Sequence, residues 1–124
     1  MKTLKRSAVL LLAAAMLLGC FTITAYATST SYTGTYSGYS YTATLQAAPN
    51  ASTATIVYNN TGVLVSLEGT VKYYGTGNEL IATRNLSNSA ATYVSASTGS
   101  VAASYASGSC KYYIKSSLVK SLSV

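Results

Sequence analysis

The sequence lacks the residues on which most enzyme chemistry depends. Its 124 residues include no histidine, aspartate or tryptophan, and the only carboxylate side chains belong to Glu68 and Glu79. Without histidine or aspartate there is no serine triad, no cysteine–histidine pair and no imidazole ligand for a metal. A calcium loop would need a cluster of carboxylates. We therefore expect a non-enzymatic protein with no cofactor and no metal.

The two glutamates could form a glycosidase pair only if their carboxyl groups lay roughly 5 to 9 Å apart. A hairpin turn at residues 75–78 would place Glu68 opposite Asn85, six residues along the partner strand from Glu79. That separates the two backbones by about 20 Å, at roughly 3.3 Å per residue. This register favours two solvent-facing charges rather than a catalytic pair.

Long apolar runs are confined to the start of the chain. Three cationic residues precede an apolar stretch at residues 8–21, and the Ala-Tyr-Ala that ends at Ala27 offers the small residues that signal peptidase reads. The pattern predicts a signal peptide at residues 1–27 and a secreted, extracellular protein. Two alternatives stay open: an uncleaved membrane anchor, and a membrane-anchored lipoprotein joined to lipid at Cys20, since Leu-Leu-Gly precedes that cysteine.

Charge and cysteine are also scarce. The net charge of +6 falls to +3 without the signal-peptide cations, and the remaining basic residues are scattered. Scattered charge favours solubility over nucleic-acid binding, so we expect no DNA or RNA partner. Beyond residue 27 Cys110 stands alone, which leaves it buried, intermolecularly paired or reactive. Its strand parity with Tyr112 and Ile114 favours burial.

Serine, threonine, tyrosine, valine and alanine dominate the rest of the chain. β-Branched and aromatic residues suit strands, and turn residues recur at short intervals. Residues 28–38 are predicted to be a flexible leader or an edge strand. Residues 39–124 are predicted to form a small antiparallel β-sandwich of six or seven short strands. Because leucine, isoleucine and valine are few, we expect tyrosine to fill the place of the missing phenylalanine and tryptophan in the core.

Two turn signals suggest a three-stranded meander. The Asn-Asn-Thr-Gly at residues 59–62 predicts a hairpin, and a second turn at residues 75–78 predicts another. Both keep apolar residues on one face, as strand register requires. The predicted pairs are Tyr58 with Val63, Ile56 with Val65, Ala54 with Leu67, Tyr73 with Leu80, and Val71 with Ala82.

The remaining segments are predicted from composition and alternation. Residues 39–46 alternate as a strand, and residues 86–90 are predicted to be a loop. Residues 91–107 are interpreted as two short strands, because serine, threonine and glycine weaken the alternative of a helix. A final hairpin is predicted around residues 115–117.

Two adjacent tyrosine pairs define a candidate surface. Neighbours in a strand point to opposite faces, so Tyr73 and Tyr112 should be buried while Tyr74 and Tyr113 face outward. Lys72 and Lys111 each lie two residues before one of these outward tyrosines, so they should face outward as well. Exposed tyrosine and lysine on a flat sheet can bind sugars, peptides or a membrane interface. The candidate binding surface is Tyr74, Tyr113, Lys72 and Lys111.

One segment carries a resemblance to a known family. Residues 53–62 (TATIVYNNTG), followed by Arg84-Asn85-Leu86-Ser87 and an Ala-Thr-Tyr, resemble the small secreted β-sandwich bacteriocins of the lactococcin kind. This chain lacks the tryptophan and histidine of those proteins and extends beyond them. The resemblance implies a secreted antibacterial protein acting at the cell envelope. More broadly, the chain is similar to small Ser/Thr/Tyr-rich secreted proteins of Gram-positive bacteria.

Three functions follow as hypotheses. The first is a cell-surface or extracellular interaction module whose partner is an extracellular protein, a glycan or another envelope component, with membrane contact only through the signal peptide or a lipid on Cys20. The second is a bacteriocin-like toxin. The third is an assembling structural protein, which low charge and strand-rich segments favour.

Overall fold

The computed structural model describes residues 27–124. Of the predicted signal peptide only Ala27 is therefore described, and Cys20 lies outside the described residues. Within the described residues every regular element is a β-strand. No helix in this part of the chain is long and apolar enough to cross a membrane. The strands are β1 Thr28–Tyr36, β2 Tyr39–Ala47, β3 Thr53–Tyr58, β4 Leu64–Tyr74, β5 Leu80–Ala91, β6 Tyr93–Ser97, β7 Tyr105–Ile114 and β8 Ser117–Ser123.

The strands form two antiparallel four-stranded sheets. The first has the order β1-β2-β3-β6 and the second the order β5-β4-β7-β8. All the pairs are antiparallel, and the two inner faces share one hydrophobic core. The predicted all-β sandwich is confirmed, with eight strands rather than six or seven. The predicted leader accounts for part of the difference, because Thr28–Tyr36 pairs along its whole length with β2 as an edge strand.

Tyrosine supplies much of the core, as the sequence predicts. The side chains of Tyr58, Tyr73 and Tyr112 are among the largest that are fully buried. A buried phenol needs a hydrogen-bond partner, and each has one within the sandwich. Tyr58 donates to the Tyr36 carbonyl at 2.6 Å, Tyr112 donates to the Thr44 carbonyl, and the Tyr73 hydroxyl lies 2.8 Å from Ser52 Oγ. The polar ends of these rings are therefore satisfied without access to water.

The predicted hairpin around residues 59–62 is wrong. Strand β3 pairs with β2 on one side and β6 on the other, while β4 lies in the second sheet. Residues 59–63 therefore cross from one sheet to the other. Thr92, the single residue between β5 and β6, crosses back at the same end of the sandwich. Its carbonyl accepts from Tyr58 N, its hydroxyl accepts from Gly62 N, and its own N–H donates to the Val63 carbonyl.

The second predicted hairpin is in the right place with the wrong register. Strands β4 and β5 do pair, but Tyr73 lies opposite Ala82 and Val71 opposite Arg84. Two steps make up this two-residue difference. Tyr74 pairs with Leu80 rather than Glu79, and a bulge next to Tyr73 shifts the ladder by one more residue, because one extra residue on the bulged strand displaces all later pairs. The predicted loop at residues 86–90 is also wrong, since those residues continue β5 opposite β4. Of the predicted three-stranded meander, only the β4–β5 hairpin is therefore present.

The last hairpin is confirmed, with a two-residue turn at Lys115 and Ser116. Both residues have positive φ, 50° and 65°, as a type I′ turn requires. Asparagine and glycine tolerate that conformation better than lysine and serine. We expect the double substitution Lys115→Asn and Ser116→Gly to raise the free energy of unfolding by about 1 kcal/mol. Denaturant melts followed by circular dichroism would measure the change. An unchanged or lower midpoint would contradict the explanation that positive φ at Lys115 and Ser116 costs stability.

Candidate functional site

The four residues of the candidate surface all lie on the outer face of the second sheet. Lys72 and Tyr74 are on β4, while Lys111 and Tyr113 are on β7, and each alternates with buried neighbours. The β4–β7 register separates them into two groups, because Tyr113 pairs with Ser66 at the other end of β4 from Tyr74. Eight residues of strand correspond to about 26 Å. The surface is therefore elongated, with one tyrosine–lysine group near each end.

At one end a glutamate fixes the tyrosine. The Tyr113 hydroxyl donates to Glu68 Oε1 at 2.8 Å, and Lys111 lies directly opposite Glu68 in the β4–β7 ladder. The hydrogen bond to the carboxylate is the main reason that the pKa of Tyr113 is raised. The predicted neighbour of Glu68, Asn85, is wrong: Glu68 faces Ser87 across the β4–β5 ladder. That register moves Glu68 two residues further along β5 from Glu79.

At the other end two tyrosines stack. The rings of Tyr74 and Tyr105 have centroids 4.9 Å apart and planes inclined by 13°. Tyr105 is 38% exposed, and its hydroxyl donates to Asn78 Oδ1 at 3.2 Å. The pairing of Tyr74 with Tyr105 belongs to the β4–β7 ladder. The sequence predicts a short strand around Tyr105 but no role for this residue, because no local signal shows which strand lies beside β4.

A polar groove of about 470 Å³ occupies the middle of the same face. Strands β5, β4, β7 and β8 each contribute to it. Its side chains are mostly short alcohols and amides, which both donate and accept hydrogen bonds, and its two charges, Glu68 and Lys111, are of opposite sign. The polar lining residues are Glu68, Thr70, Asn85, Ser87, Ser109, Lys111 and Ser121.

A second cleft, of about 660 Å³, opens at the end of the sandwich beside Tyr105. Three connections line it: the loop with Pro49 and Asn50, the β4–β5 turn with Thr76 and Asn78, and the segment that enters β7. Asn78 has a positive φ of 62°, which asparagine tolerates. The cleft extends the row of surface tyrosines beyond the end of the sheet.

Cys110 is buried and carries a free thiol, so the burial that its strand parity predicts is confirmed. It lies below the groove, opposite Gly69 on β4 and Leu122 on β8. Burial raises the pKa of the thiol from 9.0 to about 11. Because the thiolate is the nucleophilic form, we expect no reaction with a disulfide reagent at neutral pH until the protein unfolds. If the folded protein were labelled as fast as an exposed thiol, this expectation would be contradicted.

The raised pKa also predicts a loss of stability in alkali. Between pH 9 and 11 the unfolded thiol loses its proton while the folded thiol keeps it. The unfolded state then binds fewer protons, so the free energy of unfolding falls as the pH rises, by about 2 to 3 kcal/mol for two pKa units. Urea melts from pH 8 to 11 would measure the fall. The Cys110→Ala variant should show a shallower decline over this range, and an identical slope would contradict the assignment.

The described residues hold no group of three or more histidine, cysteine, aspartate or glutamate side chains that could bind a metal ion. Comparisons with protein-family models, with curated proteins and with solved structures found no match. What points to a function is therefore the geometry of the outer face of the second sheet.

Proposed function

We propose that this protein is an exported, non-enzymatic binding module that recognises a hydroxyl-rich polymer of the cell envelope, a glycan, through the outer face of its second sheet. The observation that carries the proposal is the polar groove between two tyrosine groups. Export is the expectation from residues 1–27, and it would bring this face into contact with envelope polymers.

The chemistry of the groove suits a neutral glycan. Sugar hydroxyls both donate and accept hydrogen bonds, and the serine, threonine and asparagine side chains of the groove do the same. The face carries Lys72, Lys111 and Glu68, and Glu68 lies directly opposite Lys111 in the β4–β7 ladder, so the net charge of the face is small. A strongly anionic polymer would need a denser basic surface.

The tyrosines suit the apolar side of a sugar ring. Aromatic rings present flat apolar area with a polar edge. Tyr113 is held by Glu68 and Tyr105 by its stack on Tyr74, so little side-chain entropy is lost when a ligand arrives. The separation of about 26 Å between Tyr113 and Tyr74, at roughly 3.3 Å per residue, suits an extended chain rather than a single sugar.

Binding should depend on both tyrosine groups. We expect Tyr113→Ala and Tyr105→Ala each to weaken binding to purified envelope polysaccharide about tenfold, equivalent to about 1.4 kcal/mol. Tyr32→Ala is the matched control, because Tyr32 is 39% exposed on β1 in the first sheet. The measurement is co-sedimentation of the secreted protein with insoluble polysaccharide, followed by calorimetry with soluble fragments.

Two results would overturn the proposal. One is an absence of binding to any envelope polysaccharide, and the other is an equal loss of binding in the Tyr32→Ala control. Killing of sensitive bacteria by the wild-type protein, unchanged by Tyr113→Ala and Tyr105→Ala, would favour the bacteriocin-like hypothesis instead.

A further inference from the structure

Strand β5 leaves one long edge of the second sheet open. At 12 residues it is the longest described strand, and it pairs only with β4. Leu86 is its single buried residue. An open edge presents a row of unpaired backbone N–H and C=O groups to any strand that can align with it.

The hydrogen-bond alternation identifies the backbone groups on that edge. Thr92 N donates to the Val63 carbonyl, one step beyond the Leu64–Ala91 pair of the β4–β5 ladder. In an antiparallel ladder every second pair exchanges hydrogen bonds, so the even-numbered residues from 82 to 90 bond to β4. The N–H and C=O groups that face the open edge are those of Thr83, Asn85, Ser87 and Ser89. Two of these eight groups already have partners within the chain, since Ser89 N donates to Asn88 Oδ1 and the Thr83 carbonyl accepts from Arg84 Nη1. The central residues Asn85 and Ser87 therefore carry the open hydrogen-bonding groups.

This edge has little of the usual protection against pairing. Natural edge strands carry charged residues, above all lysine, or proline or a bulge, and residues 83–91 contain no lysine and no proline, with Arg84 as their one charged residue. The bulge in this ladder lies beside Tyr73 and Tyr74, at the far end of the strand. The edge strand β8 differs, since it carries Lys120 and a bulge opposite Tyr112 and Tyr113.

We propose that a second copy of this chain pairs with the open edge, β5 against β5, about a two-fold axis at Leu86. Asn85 then lies opposite the partner subunit's Ser87 and forms the central hydrogen-bonded pair. Thr83 lies opposite the partner subunit's Ser89, where the Ser89 N–H and the Thr83 carbonyl exchange their bonds to Asn88 and Arg84 for bonds across the interface. Arg84 lies opposite the partner subunit's Asn88, which keeps the two arginines from facing each other. A two-fold interface of this kind closes after two copies.

The dimer would bring two grooves together. Asn85 and Ser87 line the groove, so pairing at β5 joins the two second sheets and their outer faces into one continuous surface. Two linked sites bind a polymer with more avidity than one. This consequence rests on the proposed function, whereas the pairing itself does not.

The test is the molar mass of the secreted protein by light scattering and sedimentation from about 1 to 200 µM, which covers dissociation constants in the micromolar range. We expect a monomer–dimer equilibrium. Ser87→Pro removes an N–H that faces the open edge and leaves the β4 ladder intact, a position where proline is tolerated. It should raise the Kd at least tenfold, while Ser87→Ala, the matched control, should leave the Kd unchanged.

Hydrogen exchange gives a readout that needs no variant. The amides of Asn85 and Ser87 should exchange more slowly as the protein concentration rises. Three results would overturn the proposal: a monomer at every concentration, a dimer unaffected by Ser87→Pro in a variant that melts like the wild type, or open-ended growth into larger assemblies. Edge amides that exchange at one rate at all concentrations would do the same.

Discussion

Replacing Tyr73 with alanine should unfold most of the protein at room temperature. The ring is fully buried, and removing a buried aromatic side chain costs about 3 to 5 kcal/mol. A domain of this size has roughly 5 to 15 kcal/mol of stability in total, and a core with few leucine, isoleucine and valine residues places it near the lower limit. The measurement is urea denaturation followed by circular dichroism.

The cost is raised by a chain of hydroxyl groups that runs from buried Ser52 through Tyr73 to half-buried Thr98. The Tyr73 hydroxyl lies 2.8 Å from Ser52 Oγ and 2.5 Å from Thr98 Oγ1, and Ser52 Oγ donates onward to the Ala48 carbonyl. One direction satisfies every member: Thr98 donates to Tyr73, and Tyr73 donates to Ser52. This chain ties two connections of the first sheet to β4 across the core.

Two controls separate the ring from its hydroxyl. Tyr73→Phe keeps the ring and leaves the buried Ser52 hydroxyl and the half-buried Thr98 hydroxyl with one partner fewer each, so it should cost about 1 to 3 kcal/mol. In a double-mutant cycle it should couple to Ser52→Ala by 0.5 kcal/mol or more, the range expected for groups in one network. Tyr105→Ala, at an exposed tyrosine, should cost less than about 1 kcal/mol. Equal losses of stability in Tyr73→Ala and Tyr105→Ala would contradict the role given to burial of the Tyr73 ring.

Which face each tyrosine occupies could be predicted from the sequence. Strand alternation is a local property, and it places Tyr73 and Tyr112 inside and Tyr74 and Tyr113 outside without any knowledge of neighbouring strands. The burial of these residues agrees.

Which strands lie side by side could not be predicted in the same way. The turn residues at 59–62 are compatible both with a hairpin and with a crossing between sheets, because they specify a reversal of the chain and not the sheet that it enters. The choice is made by β6, which occupies the edge of β3, and by Thr92, whose three hydrogen bonds hold the crossing. Both lie about 30 residues further along the chain.

The candidate site shows the same division. Its four predicted residues share a face, as alternation predicts, but their contacts depend on the β4–β7 ladder between residues about 40 positions apart. The hydrogen bond from Tyr113 to Glu68 and the stack of Tyr74 on Tyr105 both arise from that ladder. Contacts of such sequence separation leave no trace in local periodicity.

The second large effect is expected at Gly69, in the middle of β4. A Cβ atom at this position would lie 2.4 Å from the Ser109 carbonyl oxygen and 2.9 Å from Cys110 Cα. These are backbone atoms of β7, which are fixed by pairing with β4 and β8 and cannot rotate aside. We expect Gly69→Ala to cost about 3 kcal/mol or more, at the upper end of the usual range for overpacking.

The same substitution at Gly99 is the control. A Cβ there would meet no atom within 4 Å, so Gly99→Ala should leave stability unchanged or raise it by about 0.4 to 1 kcal/mol through a less flexible unfolded chain. Gly69 also lines the polar groove, and pushing β4 from β7 would alter the spacing of the side chains on either side of it. A Gly69→Ala variant as stable as Gly99→Ala would show that the two central strands of the second sheet are not in close contact, and the groove between their outward side chains would then need a different geometry.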